Sequence, residues 1–108
     1  MKEKHYYDQV FEVTKKIPYG KISTYGSIAN YLSLGSARMV GWALNKSSLS
    51  EGVPAHRVVN RKGELSGRHF FPSPTMMQEL LESEGVIIEN DKVKDFKKHF
   101  WHPEELSQ

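Results

Sequence analysis

The chain has 108 residues, with 15 Lys and Arg, 13 Asp and Glu and five His, for a formal charge of +2 at neutral pH. That length suits a single domain over 1–108, and 38% hydrophobic residues with five Phe, five Tyr and two Trp supply a packed core, which excludes a disordered tail. There is no Cys, which excludes disulfides, thiolate metal sites and any thiol nucleophile.

From Glu3 to Ile17, Tyr6, Tyr7, Val10, Phe11, Val13 and Ile17 recur at the spacing of an amphipathic helix, which Pro18-Tyr19-Gly20 stops. Thr24 is positioned to cap a second helix, Tyr25 to Leu32, broken by Leu34-Gly35. Ser36 is positioned to cap a third, Ala37 to Leu44, whose inner stripe is Met39, Val40, Ala43 and Leu44. Two short helices joined by a tight turn form a helix-turn-helix pattern, equally compatible with DNA binding and with any compact helical hairpin.

Val53 to Asn60 reads as a short extended segment, since Val58-Val59 is β-prone and Pro54 pushes its predecessor out of the helical region. Arg61 to Phe71 reads as a polar loop. Ser73-Pro74 predicts a helix start, with Met76, Met77, Leu80 and Leu81 running to a stop at Gly85. Val86-Ile87-Ile88 and Lys92-Val93 predict a hairpin around Glu89-Asn90-Asp91, and Phe96 to Trp101 is expected to pack its aromatics back onto the domain. The expected fold is mainly α, a winged-helix-like helix-turn-helix DNA-binding domain with a short β-hairpin.

No apolar run approaches the ~20 residues of a membrane span. Met1-Lys2-Glu3-Lys4 is a charged opening rather than a signal peptide, so the expected location is cytoplasmic, with no membrane partner. Charge is unevenly spread. Residues 1–70 carry eleven Lys and Arg against five Asp and Glu, whereas residues 71–108 carry four against eight. One face is therefore expected to be basic although the whole is nearly neutral.

The distinctive segment is Val53-Pro54-Ala55-His56-Arg57-Val58-Val59. It resembles the Pro-Cys-His-Arg-Val signature of the O6-alkylguanine-DNA alkyltransferases, with Ala55 where that family has its acceptor cysteine. Residues 17–26, Ile-Pro-Tyr-Gly-Lys-Ile-Ser-Thr-Tyr-Gly, resemble the family's approach to its DNA-binding helix pair. Ser36-Ala37-Arg38-Met39-Val40-Gly41 resembles its recognition helix, and Leu80-Leu81-Glu82-Ser83-Glu84-Gly85 the helix end that supplies its glutamate. Together with the substituted cysteine, these motifs are similar to those of the alkyltransferase-like proteins. That resemblance implies a monomeric, non-enzymatic sensor of O6-alkylguanine in double-stranded DNA, which signals to nucleotide excision repair proteins and needs no cofactor.

Thiol alkyl transfer needs a thiolate kept deprotonated by a histidine that a carboxylate orients. A methyl group at position 55 excludes it, so Ala55, His56 and Glu84 are expected as a vestigial set, the last two holding the loop in shape. An O6-modified guanine inside the duplex must be flipped out to be read. The resemblance makes Arg38 the finger that fills the vacated stack and Tyr25 the residue that rotates the nucleotide out, with the helix pair entering the minor groove. Lys21, Ser36, Lys46 and Ser47 are candidate phosphate contacts, weighed against ordinary solvated surface.

The lesion pocket is expected to be lined by Tyr25, Pro54, Ala55, Val59 and the loop Arg61 to Phe71, including Arg68, whose cation is suited to stacking on the purine. Trp42, one turn after Arg38, reads as core rather than as backing for the finger. His99 and His102 lack further ligands for a zinc site, so no metal is expected. A helix-turn-helix regulator using Arg38 in the major groove, and a glycosylase or hydrolase using His56 to activate water, remain the competing readings.

Overall fold

A computed structural model describes residues 5–47 and 52–107. Helix α1 (Tyr6–Lys15) starts where His5 Nδ1 accepts the Tyr7 amide at 3.1 Å, satisfying one of the N–H groups that a helix start leaves unpaired. It is shorter than the Glu3–Ile17 periodicity predicts. Residues 3 and 4 lie outside the described residues, and at the other end the Lys16 and Ile17 amides turn back on Val13 and Thr14 in a tightened last turn. Ile17 still joins the core from beyond the helix end.

The helix pair is α2 (Tyr25–Tyr31) and α3 (Ala37–Asn45). Thr24 Oγ1 accepts the Ser27 amide at 3.0 Å, the predicted cap. The turn between the helices differs from expectation. Ser33 (φ 57°), not Gly35, takes the left-handed position, and Leu34 N–H to Ala29 O at 2.8 Å with Ser33 N–H to Asn30 O at 3.2 Å closes a Schellman motif. Helices α1, α2 and α3 enclose a first core of Val10, Val13, Ile28, Val40 and Ala43, completed by Val53 and Trp101.

The predicted extended segment is partly a turn. Ala55–Arg57 forms one turn of 3-10 helix, with Arg57 N–H on Pro54 O at 3.0 Å. Strand β2 (Val58–Val59) then pairs in parallel with β1 (Ser23–Thr24), Ser23 beside Val58 and Thr24 beside Val59. Successive strand side chains face opposite ways, so Val58 enters the first core and Val59 a second, with Ile22, Leu65, Met77, Leu81 and Val86. This short parallel pair stands between the two cores.

Helix α4 (Met76–Ser83) starts two residues later than Ser73-Pro74 suggests, because Met76 N–H first closes a turn on Ser73 O at 3.3 Å. Its end is sharply defined. Gly85 (φ 89°) takes the left-handed position that a side chain would strain, and Gly85 N–H to Glu82 O at 3.0 Å with Val86 N–H to Leu81 O at 3.1 Å makes a second Schellman motif. Buried Val86 meets Leu81 in the second core, so Glu84 is held at the cap.

Strands β3 (Ile88–Glu89) and β4 (Lys92–Val93) form the predicted hairpin, and positive φ at both Asn90 and Asp91 suits the two-residue turn. Helix α5 (Phe96–His99) leads into a segment bound to Ile22, with Ile22 N–H on His99 O at 2.9 Å and Trp101 N–H on Ile22 O at 2.7 Å. Phe96 stacks on Phe100 at 5.3 Å and Trp101 enters the first core, as the aromatic run predicts. Among the described residues no helix is long and apolar enough to cross a membrane.

Candidate nucleic-acid interface

Glu84 is the centre of a buried clamp. Its side chain is 6% exposed and receives His56 Nε2 at 2.8 Å, Arg57 Nη2 at 2.8 Å, Arg57 Nε at 2.9 and 3.1 Å, and the Gly20 amide at 2.9 Å. Arg57 Nη1 donates to Ile17 O at 2.8 Å, and its guanidinium carbon lies 5.8 Å from the Tyr19 ring centroid. The Tyr19 hydroxyl donates to Ser83 O at 2.8 Å. The Pro18-Tyr19-Gly20 turn, the 55–57 turn and the end of α4 are thereby tied through one carboxylate.

Burial alone would push Glu84 up, but the Arg57, His56 and Gly20 hydrogen bonds outweigh it and hold the carboxyl at about 2, against an ordinary 4.5. Burial pushes His56 below its ordinary 6.5 by more than Glu84 lifts it, and Arg57 adds to the depression. The imidazole is therefore neutral at pH 7. With Nε2–H donating to the carboxylate, Nδ1 is left as a buried acceptor with no hydrogen-bond partner among the described residues. Such a base could hold a proton, yet the neighbouring Ala55 side chain has none to give and no nucleophilic atom.

Helix α3 presents a different surface. Val40, Ala43 and Leu44 face the core, so Arg38, Trp42 and Asn45, four and three residues apart, share the opposite stripe and are exposed. A groove of about 310 Å³ lies between this stripe and the 66–70 loop, bordered by Arg38, Trp42, Asn45, Gly67, Phe70 and Tyr25. Tyr25 is half-buried. Burial raises its pKa, partly offset by a hydrogen bond with the Ser66 side chain. A Cβ on Gly67 would lie 2.7 Å from the Tyr25 hydroxyl, so a side chain there would displace the tip of Tyr25. Tyr25 and Ala37 also border a second groove, of about 500 Å³, with Asn60, Arg61 and Lys62.

The family model described as 6-O-methylguanine DNA methyltransferase, DNA binding domain, matches residues 5–86. Alkyltransferase-like protein 1 of Schizosaccharomyces pombe is 36% identical over 108 residues, covering 95% of this chain and all of that one. The DNA base-flipping protein of Vibrio parahaemolyticus is 36% identical over 98 residues, covering 88% of this chain and 94% of its own. A crystal structure of S. pombe Atl1 in complex with damaged DNA containing O6-carboxymethylguanine superposes with a TM-score of 0.82 at 35% identity, covering 95% of this chain and 100% of that one. The chain belongs to the alkyltransferase-like group of this DNA-binding family.

Within that family's frame, the structure brings some expected residues together and not others. Tyr25, at the start of α2, and Arg38, in the first turn of α3 after Ser36, border one groove, and Arg38 has no ion pair among the described residues. Ser36 is at the N-cap position, but its side chain makes no capping hydrogen bond. Lys46 and Ser47 lie at the far end of α3, Lys46 exposed and Ser47 bonded to Leu44 O at 2.7 Å. Lys21 stands apart, its Nζ on Lys98 O at 3.3 Å.

Pro54 and Ala55 are half-buried and border neither groove. Val59 cannot line a pocket with its side chain, because the strand register turns it into the second core at 0% exposure. Arg68 is half-buried, Nη1 on Leu65 O at 2.9 Å and Nε 3.8 Å from Asp91 Oδ2, and it too borders neither groove. Trp42 is 49% exposed rather than core.

Three contributors escaped the sequence reading. Arg57 carries most of the contacts on Glu84, and in the sequence Gly20 and Phe70 read only as turn and loop residues. The available signal for Trp42 was its place on the Arg38 stripe, opposite the Val40 and Ala43 face.

Proposed function

We propose that this protein binds O6-alkylated guanine in duplex DNA, holds the base outside the helix and leaves the adduct in place for nucleotide excision repair proteins. The observation that carries this reading is an intact His56, Arg57 and Glu84 clamp beside a position 55 without a thiol. The attacking atom is gone while its supports persist, which suits recognition and excludes alkyl transfer.

In this reading the protein acts as a monomer and single domain. α3 enters the minor groove, Arg38 fills the stack, Tyr25 turns the nucleotide out, and Ser36, Lys46, Ser47 and Lys21 contact phosphates. Pro54, Ala55 and Arg68 border the path of the extruded base. Flipping costs a few kcal/mol and less for a base whose pairing is already weakened, so preference for a lesion begins before any contact with the alkyl group.

The test is a competition titration of duplexes with and without one O6-methylguanine at two salt concentrations. Tighter binding to the lesion at both is expected, with affinity for either duplex falling as salt rises. Equal affinity for the two duplexes contradicts the proposal. A preferred undamaged sequence would instead support a helix-turn-helix regulator.

A further inference from the structure

We infer that Ser66 is a positioning residue for Tyr25: from the far wall of the α3 groove it holds the hydroxyl that meets the DNA backbone as a nucleotide is turned out. This rests on the lesion-binding reading above and adds to it a residue of the 66–70 loop. Tyr25 opens α2, Ser66 and Gly67 belong to the facing loop, and all three border the groove of about 310 Å³.

Two separately anchored parts of the molecule meet at this contact. Tyr25 packs against the first core, whereas the loop grows from Leu65, which is buried in the second core and whose amide donates to Asp91 O at 2.9 Å. Arg68 N–H on Leu65 O at 3.2 Å and Phe70 N–H on Gly67 O at 3.1 Å close the loop on itself. Ser66 is thus set on fixed backbone, and its side chain hydrogen-bonds Tyr25.

The approach of Gly67 shows how little room the hydroxyl has. A Cβ there would lie 2.7 Å from it, although Gly67 has a φ of −88° that any residue adopts. Tyr25 and Ala37 border both this groove and the one of about 500 Å³ that carries Arg61 and Lys62. The Tyr25 ring therefore partitions a space walled by Trp42 and Phe70 from one lined by cations, which suits the junction between an extruded base and its phosphate.

A tyrosine hydroxyl has one proton to give and lone pairs with which to receive another. Burial raises the Tyr25 pKa and the Ser66 hydrogen bond lowers it, the sign of a donor to the phenol oxygen. With Ser66 donating, the Tyr25 proton is kept for a phosphate oxygen. The ring is also ordered before DNA arrives, which lowers the entropy lost on binding.

Competition titrations with duplexes carrying O6-methylguanine or guanine at one position, beside a 2-aminopurine that brightens when its neighbour leaves the stack, test this. S66A is expected to hold the lesion duplex about fivefold more weakly, the scale of one neutral hydrogen bond, with a smaller fluorescence rise at saturation. G67A, whose methyl displaces the tip of Tyr25, is expected to show the same loss. Y25F shows it too, and neither S66A nor G67A adds to it in a Y25F background, because the hydroxyl on which both act is gone.

Unchanged lesion affinity and fluorescence in S66A overturn the inference. Losses that persist in full in the Y25F background overturn it as well, because Ser66 and Gly67 would then act without Tyr25. Failure of the unaltered protein to prefer the lesion over guanine removes the lesion-binding reading itself, and that result is read before any variant is compared.

Discussion

The clamp around Glu84 and the exposed stripe of α3 handle polar groups in opposite ways. At Glu84 the donors converge: Arg57 grips the carboxylate at both oxygens, His56 and Gly20 complete it, and His56 Nδ1 has no hydrogen-bond partner among the described residues. On α3 the groups are left open, with Arg38, Ser36, Trp42 and Asn45 turned to solvent or to a groove. A machine for alkyl transfer would need both regions to serve one reaction. Here the first ties three chain segments together, and the second is open to solvent.

Breaking the tie should produce the largest effect. Glu84→Ala strands a half-buried Arg57 and a buried His56, which costs about 3–5 kcal/mol, and a drop of more than about 10 °C in Tm is expected from thermal melting. A loss below about 1 kcal/mol would show the clamp to be dispensable.

Acid should weaken the same region by a smaller amount. The folded pKa of Glu84 is depressed from 4.5 to about 2, so its contribution is complete above pH 4.5 and is lost as pH falls towards 2. That shift corresponds to about 3 kcal/mol. His56, also depressed, adds in the same sense: its contribution is present above its ordinary 6.5 and declines as pH falls below that value. Urea midpoints measured from pH 7 to pH 3 should therefore decline, and Glu84→Gln should flatten the lower part of the curve. A level profile in the unaltered protein would contradict the assigned shifts.

Substitutions on the open face should spare stability and change binding. Arg38→Ala should leave the melting temperature within about 0.5 kcal/mol of the original, while the preference for O6-methylguanine over guanine disappears. An unchanged preference would remove Arg38 as the stack-filling group.

Ala55→Cys joins the two regions again, because it restores a thiol next to a neutral His56 that Glu84 still orients. Mass spectrometry after incubation with lesion duplex should then show a slowly accumulating alkyl adduct on the protein, and its absence would mean that the clamp no longer supports transfer. The smallest effect belongs to Ser36→Ala, expected to change stability by less than about 0.5 kcal/mol because the side chain makes no cap hydrogen bond.

What could be read from the chain alone follows the same division. The helix pair was legible because Thr24 and the Ile28, Ala29 and Val40, Ala43 stripes are local signals of capping and period. The hairpin was legible because Asn90 and Asp91 tolerate positive φ. The turn at Ser33 was not, since the register of the Ala29 and Asn30 carbonyls decided which residue turned left-handed, and a glycine two positions later looked the better candidate.

At the site, the motif order pointed to His56 and Glu84, whose pairing spans 28 positions, but Arg57 read only as part of a signature. Its role depends on Ile17 and Glu84, residues far apart in sequence that only folding brings together. The places of Val59 and Arg68 were not legible for a related reason. The parallel pairing with Thr24 turns one into the second core, and the hairpin turn at Asp91 draws the other away from both grooves.

The most direct test of the central claim is to saturate the protein with a duplex bearing one O6-methylguanine, hold the complex for hours, release it and weigh both components by mass spectrometry. Capture without chemistry predicts a stoichiometric complex from which DNA and protein return with their masses unchanged. Lesion-free DNA, an alkylated protein, or a free base and abasic strand would contradict it.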